Sequence, residues 1–475
     1  MLKIFSKHSL KHLGFSLLTV FVLSGCANNT KPINTTPTQT TTETQKNTNI
    51  ETMDRLISEI QKSMAKNWPN MNKIWPDLDY SNHTVIYAIL GTENTNPIKP
   101  VKVWLLTPTE KRELSPEEYA EIKFTSEGGF NGIKFQGKDA IVTSRLSDAP
   151  IEENGFDSTV IDEYQFLTHE LFHLYHQKNI ALPDNSNNSR SQKYPIDFEP
   201  RLYRNMIHYN LGNAVITNDD NTAKEFIQKA AYWFNKWKNE YPDEFSAIAS
   251  TDIFEGVAEY IGRLSNLAGQ DTITREDLSK LISIESTFST LGLDSYDLGF
   301  VTLSAIERFK PDFKEDFSKS KKSPIEYLLE NVTPIEDTPN EQLSNKLKQN
   351  INEINDTLNK SLEYIISSID NKNIPYLRMK SEYRSEYGFS AGGFFNYNGY
   401  EILHGLDTEF IQDSSNILYL KNVNTFEENS GFILIPLTDK FEINGDTMTL
   451  TDPQIKGTLK VTTSTEDGRT IYTVK

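Results

Sequence analysis

The chain has 475 residues, with 48 basic against 66 acidic side chains and a formal net charge of −18. This balance argues against nucleic acid as a partner, since phosphate binding needs a basic face. Apolar content of 37% is low for a globular chain and reads as a folded body diluted by polar tails, and the length predicts two or three domains.

Lys3, Lys7 and Lys11 make a basic start, and Leu13 to Leu23 is an apolar run too short to span a membrane as an ordinary helix. Residues 1–25 therefore read as a secretory signal. The segment ends Leu23-Ser24-Gly25-Cys26, which resembles the bacterial lipobox. That resemblance implies a lipid such as palmitate on Cys26, anchoring the protein to a cell membrane on its extracytoplasmic face. Cys26 is the only cysteine, and polar sequence follows at once, which argues against a small buried hydrophobe. An exported chain without a disulfide relies on its core, and on any bound metal, for stability. Residues 26–49 are nearly all Thr, Asn, Gln, Lys, Pro and Glu, cannot offset their ordering entropy, and are predicted to be a disordered tether.

Folded sequence is predicted from Ile50, where Met53, Leu56, Ile57, Ile60 and Met64 mark one face of a helix that stops before Trp68-Pro69. Three strand candidates follow, Thr84 to Leu90, Val101 to Thr107 and Lys138 to Ser144, each bounded by Gly, Pro or Asn. A helix predicted from Ser158 or Thr159 to Lys178 then carries Thr168-His169-Glu170-Leu171-Phe172-His173. Residues four apart lie one above the other on a helix, so His169 and His173 can aim two imidazoles at one ion. Glu170 falls beside that ion, where it can take a proton from water. The competing reading is a buried amphipathic helix with incidental histidines, and a third ligand is needed to exclude it. His176 shares the same side of the helix, but packing or solvent exposure is the expected reading there.

Past the polar loop Pro183 to Lys193, helices are predicted from Phe198 to Leu211 and from Thr222 to Tyr241, their aromatic residues reading as core. Next comes Thr251-Asp252-Ile253-Phe254-Glu255-Gly256-Val257-Ala258-Glu259-Tyr260. Together with His169 to His173, the Glu-Gly-x-Ala-Glu-Tyr string resembles the second motif of the gluzincin metallopeptidases, the thermolysin-like and aminopeptidase-like zincins. The resemblance implies one Zn2+ per chain held by His169, His173 and Glu255, with Glu170 catalytic and Glu259 orienting a ligand histidine. Tyr296, followed by Gly299 on the next predicted helix, is the matching candidate for stabilising an oxyanion, with Tyr203 and His208 behind it. One departure leaves the third ligand open. Between His173 and Glu255 lie 81 residues, which reads as an inserted helical pair, and Glu199 within that insertion is a rival ligand. Its other reading is an ion pair with Arg201 or Arg204.

Leu343, Leu347, Ile351, Ile354, Leu358, Leu362 and Ile365 predict a long amphipathic helix from Asn340 to Ile369. From Gly388 the pattern alternates, with Asn444-Gly445 and Asp467-Gly468 as hairpin turns. The expected fold class is α+β: a mainly helical zincin-like core over residues 50–330 with a small N-terminal β-sheet, a helical connector over 331–387, and a small β module over 388–475. The expected function is a zinc metallopeptidase that hydrolyses a peptide or protein substrate outside the cytoplasm. Its rival is a non-catalytic binding lipoprotein on a zincin scaffold, with the β module as the working part.

Overall fold

The computed structural model describes residues 43–91, 99–122, 124, 129–149, 155–184, 190–384, 391–428 and 430–475, with side chains from residue 50. Cys26, the leader and most of the tether lie outside the described residues. The first helix, α1 (Glu43–Asn67), begins before the predicted Ile50 and stops at Asn67, where Pro69 ends α-helical winding. Its predicted face, Met53, Leu56, Ile57, Ile60 and Met64, is buried.

The chain is α+β and forms two compact units. One comprises the described residues up to Ser361 with Phe395–Gly399, and the other Leu362–Phe394 with Tyr400–Lys475. The first unit opens with a five-stranded sheet in the order β3-β2-β1-β5-β4, built from β1 (Thr84–Leu90), β2 (Pro100–Thr107), β3 (Glu110–Glu113), β4 (Phe130–Phe135) and β5 (Lys138–Leu146). All of β1 is buried, as a central strand with neighbours on both edges requires. It pairs antiparallel with β2 and parallel with β5. Two strands escape the sequence pattern. β3 reads Glu-Lys-Arg-Glu, with no apolar alternation, and β4 carries a glycine at its centre.

The helices α2 (Phe156–Leu171), α3 (Phe198–Ile216), α4 (Asp220–Glu240), α5 (Pro242–Ser265), α6 (Arg275–Lys280) and α7 (Asp294–Phe309) follow, with the two-residue strand β6 (Gln192–Lys193) ahead of α3. The predicted inserted pair is α3 and α4. It is tied to what comes after it by a buried charge cluster. Arg204 makes a bidentate pair with Asp252 of α5 at 2.8 and 3.0 Å and also bonds Asp294 at the start of α7. Ser295 Oγ donates to Asp252 at 2.6 Å, and Arg201 pairs with Glu244. The two arginines thus turn towards α5 and α7, and neither forms the ion pair with Glu199 that their proximity in sequence allowed.

Short helices α8 (Lys314–Ser320) and α9 (Pro324–Leu329) precede α10 (Glu341–Asp370), within which the boundary between the units falls. The second unit is larger than the predicted module. It contains β7 (Tyr376–Lys380), part of β8 (Gly393–Tyr397), and β9 (Tyr400–Asp413), β10 (Asn416–Glu428), β11 (Phe432–Pro436), β12 (Phe441–Asn444), β13 (Thr447–Thr451), β14 (Ile455–Glu466) and β15 (Arg469–Val474). β7, Tyr-Leu-Arg-Met-Lys, has no β-branched residue to mark it and lies in the stretch expected to be a helical connector.

Strands β14, β15, β7, β11 and β10 pair in turn, and β10 pairs back onto β14, so five strands close a ring. A register break lies between Leu420 and Val423, with Asn422 at φ 55°, and the edge of β10 that meets β14 before the break meets β11 after it. Closure needs Gly457, since a Cβ there would lie 2.1 Å from the Ile417 carbonyl oxygen. The interior is filled by Leu377, Met379, Leu418, Ile433, Ile435, Leu459 and Val461 among others. Arg469 bonds the carbonyls of Ser368 and Ile369 at the end of α10, at 2.6 and 3.0 Å, satisfying helix-end acceptors. The Asp467-Gly468 turn is as predicted, whereas the other hairpin turns on Gly445 and Asp446, one residue later than expected.

Candidate metal centre

His169 and His173 lie where α2 changes its winding. The helix is regular to Leu171, and Phe172–His176 continues as a π turn before a 3-10 turn over Gln177–Asn179. The sequence predicts an unbroken helix to Lys178, because a π turn leaves no trace in apolar spacing, yet such turns are frequent at functional sites. Thr168, the residue before the first histidine, is fixed from the segment that follows α1. Trp68 Nε1 donates to its hydroxyl at 3.1 Å and the Tyr80 hydroxyl to its carbonyl at 3.2 Å.

The Nε2 atoms of His169 and His173 are 3.0 Å apart, and Glu255 Oε2 lies 3.4 Å from the first and 3.3 Å from the second. Four-coordinate geometry with bonds of about 2 Å requires ligand atoms about 3.3 Å apart. The triangle therefore has the edges of one face of such a site. All three residues are buried, and among the described residues this is the His/Cys/Asp/Glu group that could hold a metal ion. Glu199, the rival, is not part of it. It lies on the first turn of α3 near Tyr203 and Tyr241.

Around the triangle the ligands are held in place. His169 Nδ1 meets Glu259 Oε2 at 3.2 Å, while Glu259 Oε1 accepts from Arg263 Nε at 2.6 Å and from Gln165 at 3.2 Å. Arg263 in turn reaches Asp297 at 2.9 Å. Glu259 thus lies against His169 Nδ1, on the far side of the ring from the Nε2 that faces Glu255. His173 is held by stacking on Phe254, with ring centroids 4.2 Å apart at 8°. Tyr296 stacks on the His169 ring at 5.7 Å and 14°, which brings this candidate to the site.

Glu170 is 9% exposed, and its Oε2 has no hydrogen-bond partner among the described residues. Burial pushes its carboxyl up to about 8. Burial would also raise Glu255, but the Arg190 guanidinium and the two imidazoles outweigh it and hold that carboxyl well below the usual range. For His169 burial works against the charged ring, yet the carboxylates of Glu255 and Glu259 prevail and raise it to about 10. His173 goes the other way, pushed by burial down to about 4. Burial and the neighbouring Glu255 carboxylate raise Tyr296 well above an ordinary phenol, so its O–H remains a donor.

Close helix approach explains the glycines. A Cβ on Gly256, the residue after Glu255, would lie 2.8 Å from Gly299 Cα, and one on Gly299 would lie 2.0 Å from Gly256 Cα. The glycine beside Glu255 thus faces α7, and it is Gly262 that faces the histidine helix, where an added Cβ would lie 3.4 Å from the His169 Cβ.

Other candidates fall elsewhere. His176 stacks on Phe172 at 6.4 Å and packs beside Tyr80 and His83, the packed reading. The Tyr203 hydroxyl donates to Glu240, and His208 is buried against Phe288. Sequence reasoning missed Arg190, which donates to Glu255 Oε1 from the polar loop before β6, where an isolated arginine carries no signal.

Comparison with protein-family models, with curated proteins and with solved structures finds no match for this chain. The function is therefore argued from the site.

Proposed function

We propose that the protein is a zinc-dependent peptidase that cleaves peptide bonds outside the cytoplasm while anchored to a membrane through Cys26. The observation that carries this reading is a metal-sized triangle of His169, His173 and Glu255 beside a buried carboxylate, Glu170, with a free oxygen. Two neutral imidazoles and one carboxylate suit zinc and leave a coordination position open. Zinc there would supply a Lewis acid that polarises a carbonyl and makes water acidic near neutral pH.

Glu170 takes the proton from the attacking water and passes it to the leaving nitrogen; burial favours the protonated carboxyl in the metal-free site, and the positive charge of a bound ion would draw it to the carboxylate that this role needs. Tyr296 donates its O–H to the oxygen on which negative charge develops. Strand β4 has β5 on one side and the sheet edge on the other, so an extended peptide can add along it by main-chain hydrogen bonds. No helix among the described residues is long and apolar enough to cross a membrane, and the anchor reading rests on the lipobox-like Leu23 to Cys26.

The test is Glu170→Gln. Zinc at about one per chain should persist while digestion of a peptide library stops, since only the base has been removed. Undiminished cleavage by the Gln variant refutes the mechanism. Zinc bound by the unaltered chain with no cleavage of any library member would favour a binding protein.

A further inference from the structure

Glu255 uses its two oxygens for different neighbours. Oε2 faces the two imidazoles at 3.3 and 3.4 Å, and Oε1 accepts from Arg190 Nη2. Arg190 is itself held. Its side chain is 16% exposed, and its stem packs where a side chain at Gly292 would begin, 3.6 Å from that position. Two residues on, Gln192 is buried and accepts from the backbone N–H of Leu291 at 3.0 Å. The guanidinium thus comes from a packed segment and approaches the carboxylate at the oxygen that the histidines do not use.

We propose that Arg190 is a positioning residue that makes Glu255 a one-oxygen ligand. This rests on the metal reading above. With Oε1 engaged by Arg190, only Oε2 can turn to the ion, and the position a second oxygen would take stays open for substrate. Two roles are conceivable for a cation beside a metal-binding carboxylate, and they have opposite signs. A latch would occupy the ion's place and have to leave before metal enters. An orienting partner would bond the outer oxygen and strengthen ligation. The geometry selects the second, because the triangle of ligand atoms already has metal-sized edges while Arg190 is bonded.

The experiment measures zinc affinity of the full chain by chelator competition, and the visible absorption of the Co2+ form, for the unaltered protein, Arg190→Ala and Arg190→Lys. Loss of an outer partner of a metal ligand weakens binding roughly 10- to 100-fold. Arg190→Ala should show that loss, together with a weaker Co2+ band as a second carboxylate oxygen raises the coordination number. Arg190→Lys, which keeps a donor and a charge, should regain most of both. The metal-free melting temperature of each variant is read alongside, and if Ala does not fold, the Lys variant and its Co2+ band carry the comparison. Affinity for Arg190→Ala equal to that of the unaltered chain overturns the proposal, and tighter binding overturns it in favour of a latch. If the unaltered chain binds neither zinc nor Co2+, the metal reading itself fails, which is a distinguishable result.

Discussion

Adding one methyl group at Gly299 should damage a site that it does not touch. The new Cβ would lie 2.0 Å from Gly256 Cα and 2.7 Å from the Gly256 carbonyl carbon and oxygen, all main-chain atoms that no side-chain rotation can move away. Reaching ordinary contact at 3.4 Å requires α5 and α7 to part by 1.4 Å. Alanine gains about 1 kcal/mol over glycine in a helix interior, and overpacking costs up to about 3 kcal/mol, so the net loss is about 2 kcal/mol. For a unit of this size that lowers Tm by roughly 3 °C. Because Glu255 precedes Gly256 and Tyr296 lies on α7, zinc affinity should fall with it. The control is Gly212→Ala, also within a helix, where the added Cβ meets only the side chains of Ile282 at 3.4 Å and Ile284 at 3.6 Å. There the helix preference should dominate and Tm should hold or rise. Thermal unfolding of the two variants reads the difference, and a Gly299→Ala protein as stable as Gly212→Ala would refute the reasoning.

Further expectations concern charge. At pH 7 the metal-free His169 is protonated, raised to about 10 by its carboxylates, and a ligand nitrogen must lose that proton. Zinc binding should therefore release at least one proton, seen as a buffer-dependent heat in calorimetry, and a heat independent of buffer would contradict it. His208 is buried and pushed down to about 4, so below an unfolded value of about 6.5 the unfolded chain binds a proton that the folded chain refuses. Stability is full above that unfolded value and falls as pH drops towards 4, by about 3 kcal/mol for this residue. His208→Leu should flatten part of the acid limb in denaturant titrations, and an unchanged limb counts against the assignment. Arg204→Met would strand Asp252 and Asp294 without their shared guanidinium, costing about 3–5 kcal/mol. A variant unfolding at the same denaturant concentration would show that the cluster contributes nothing.

The candidate metal-binding residues could be picked out in the sequence because each sits on a helix whose periodicity fixes its direction. His169 and His173 are four apart, and Glu255 and Glu259 are four apart, so two helices each present a pair on one side. The sequence favours Glu255 over Glu199 but leaves the choice open, because it depends on how α3 and α4 fold away from the histidines. Arg190 was hidden for a different reason, since an irregular segment has no period to give a side chain direction. The π turn at Phe172–His176 was likewise invisible, as it shifts hydrogen bonds without altering the residue pattern. In the second unit the strands announced themselves by alternation, but ring closure did not, because it depends on a register break at Asn422 and a close approach at Gly457.

The closed ring has a consequence for the order in which the protein can be made. Its parallel joint pairs Tyr376, Leu377 and Arg378 with Ile471, Tyr472 and Thr473, strands separated by most of the unit's sequence. That joint cannot form until the last strand has left the ribosome. Until then the earlier strands have no complete set of neighbours, and pairing over such separations is intrinsically slow. If the chain is exported, as proposed, it gains time from this arrangement, since its C-terminal unit cannot lock ahead of passage.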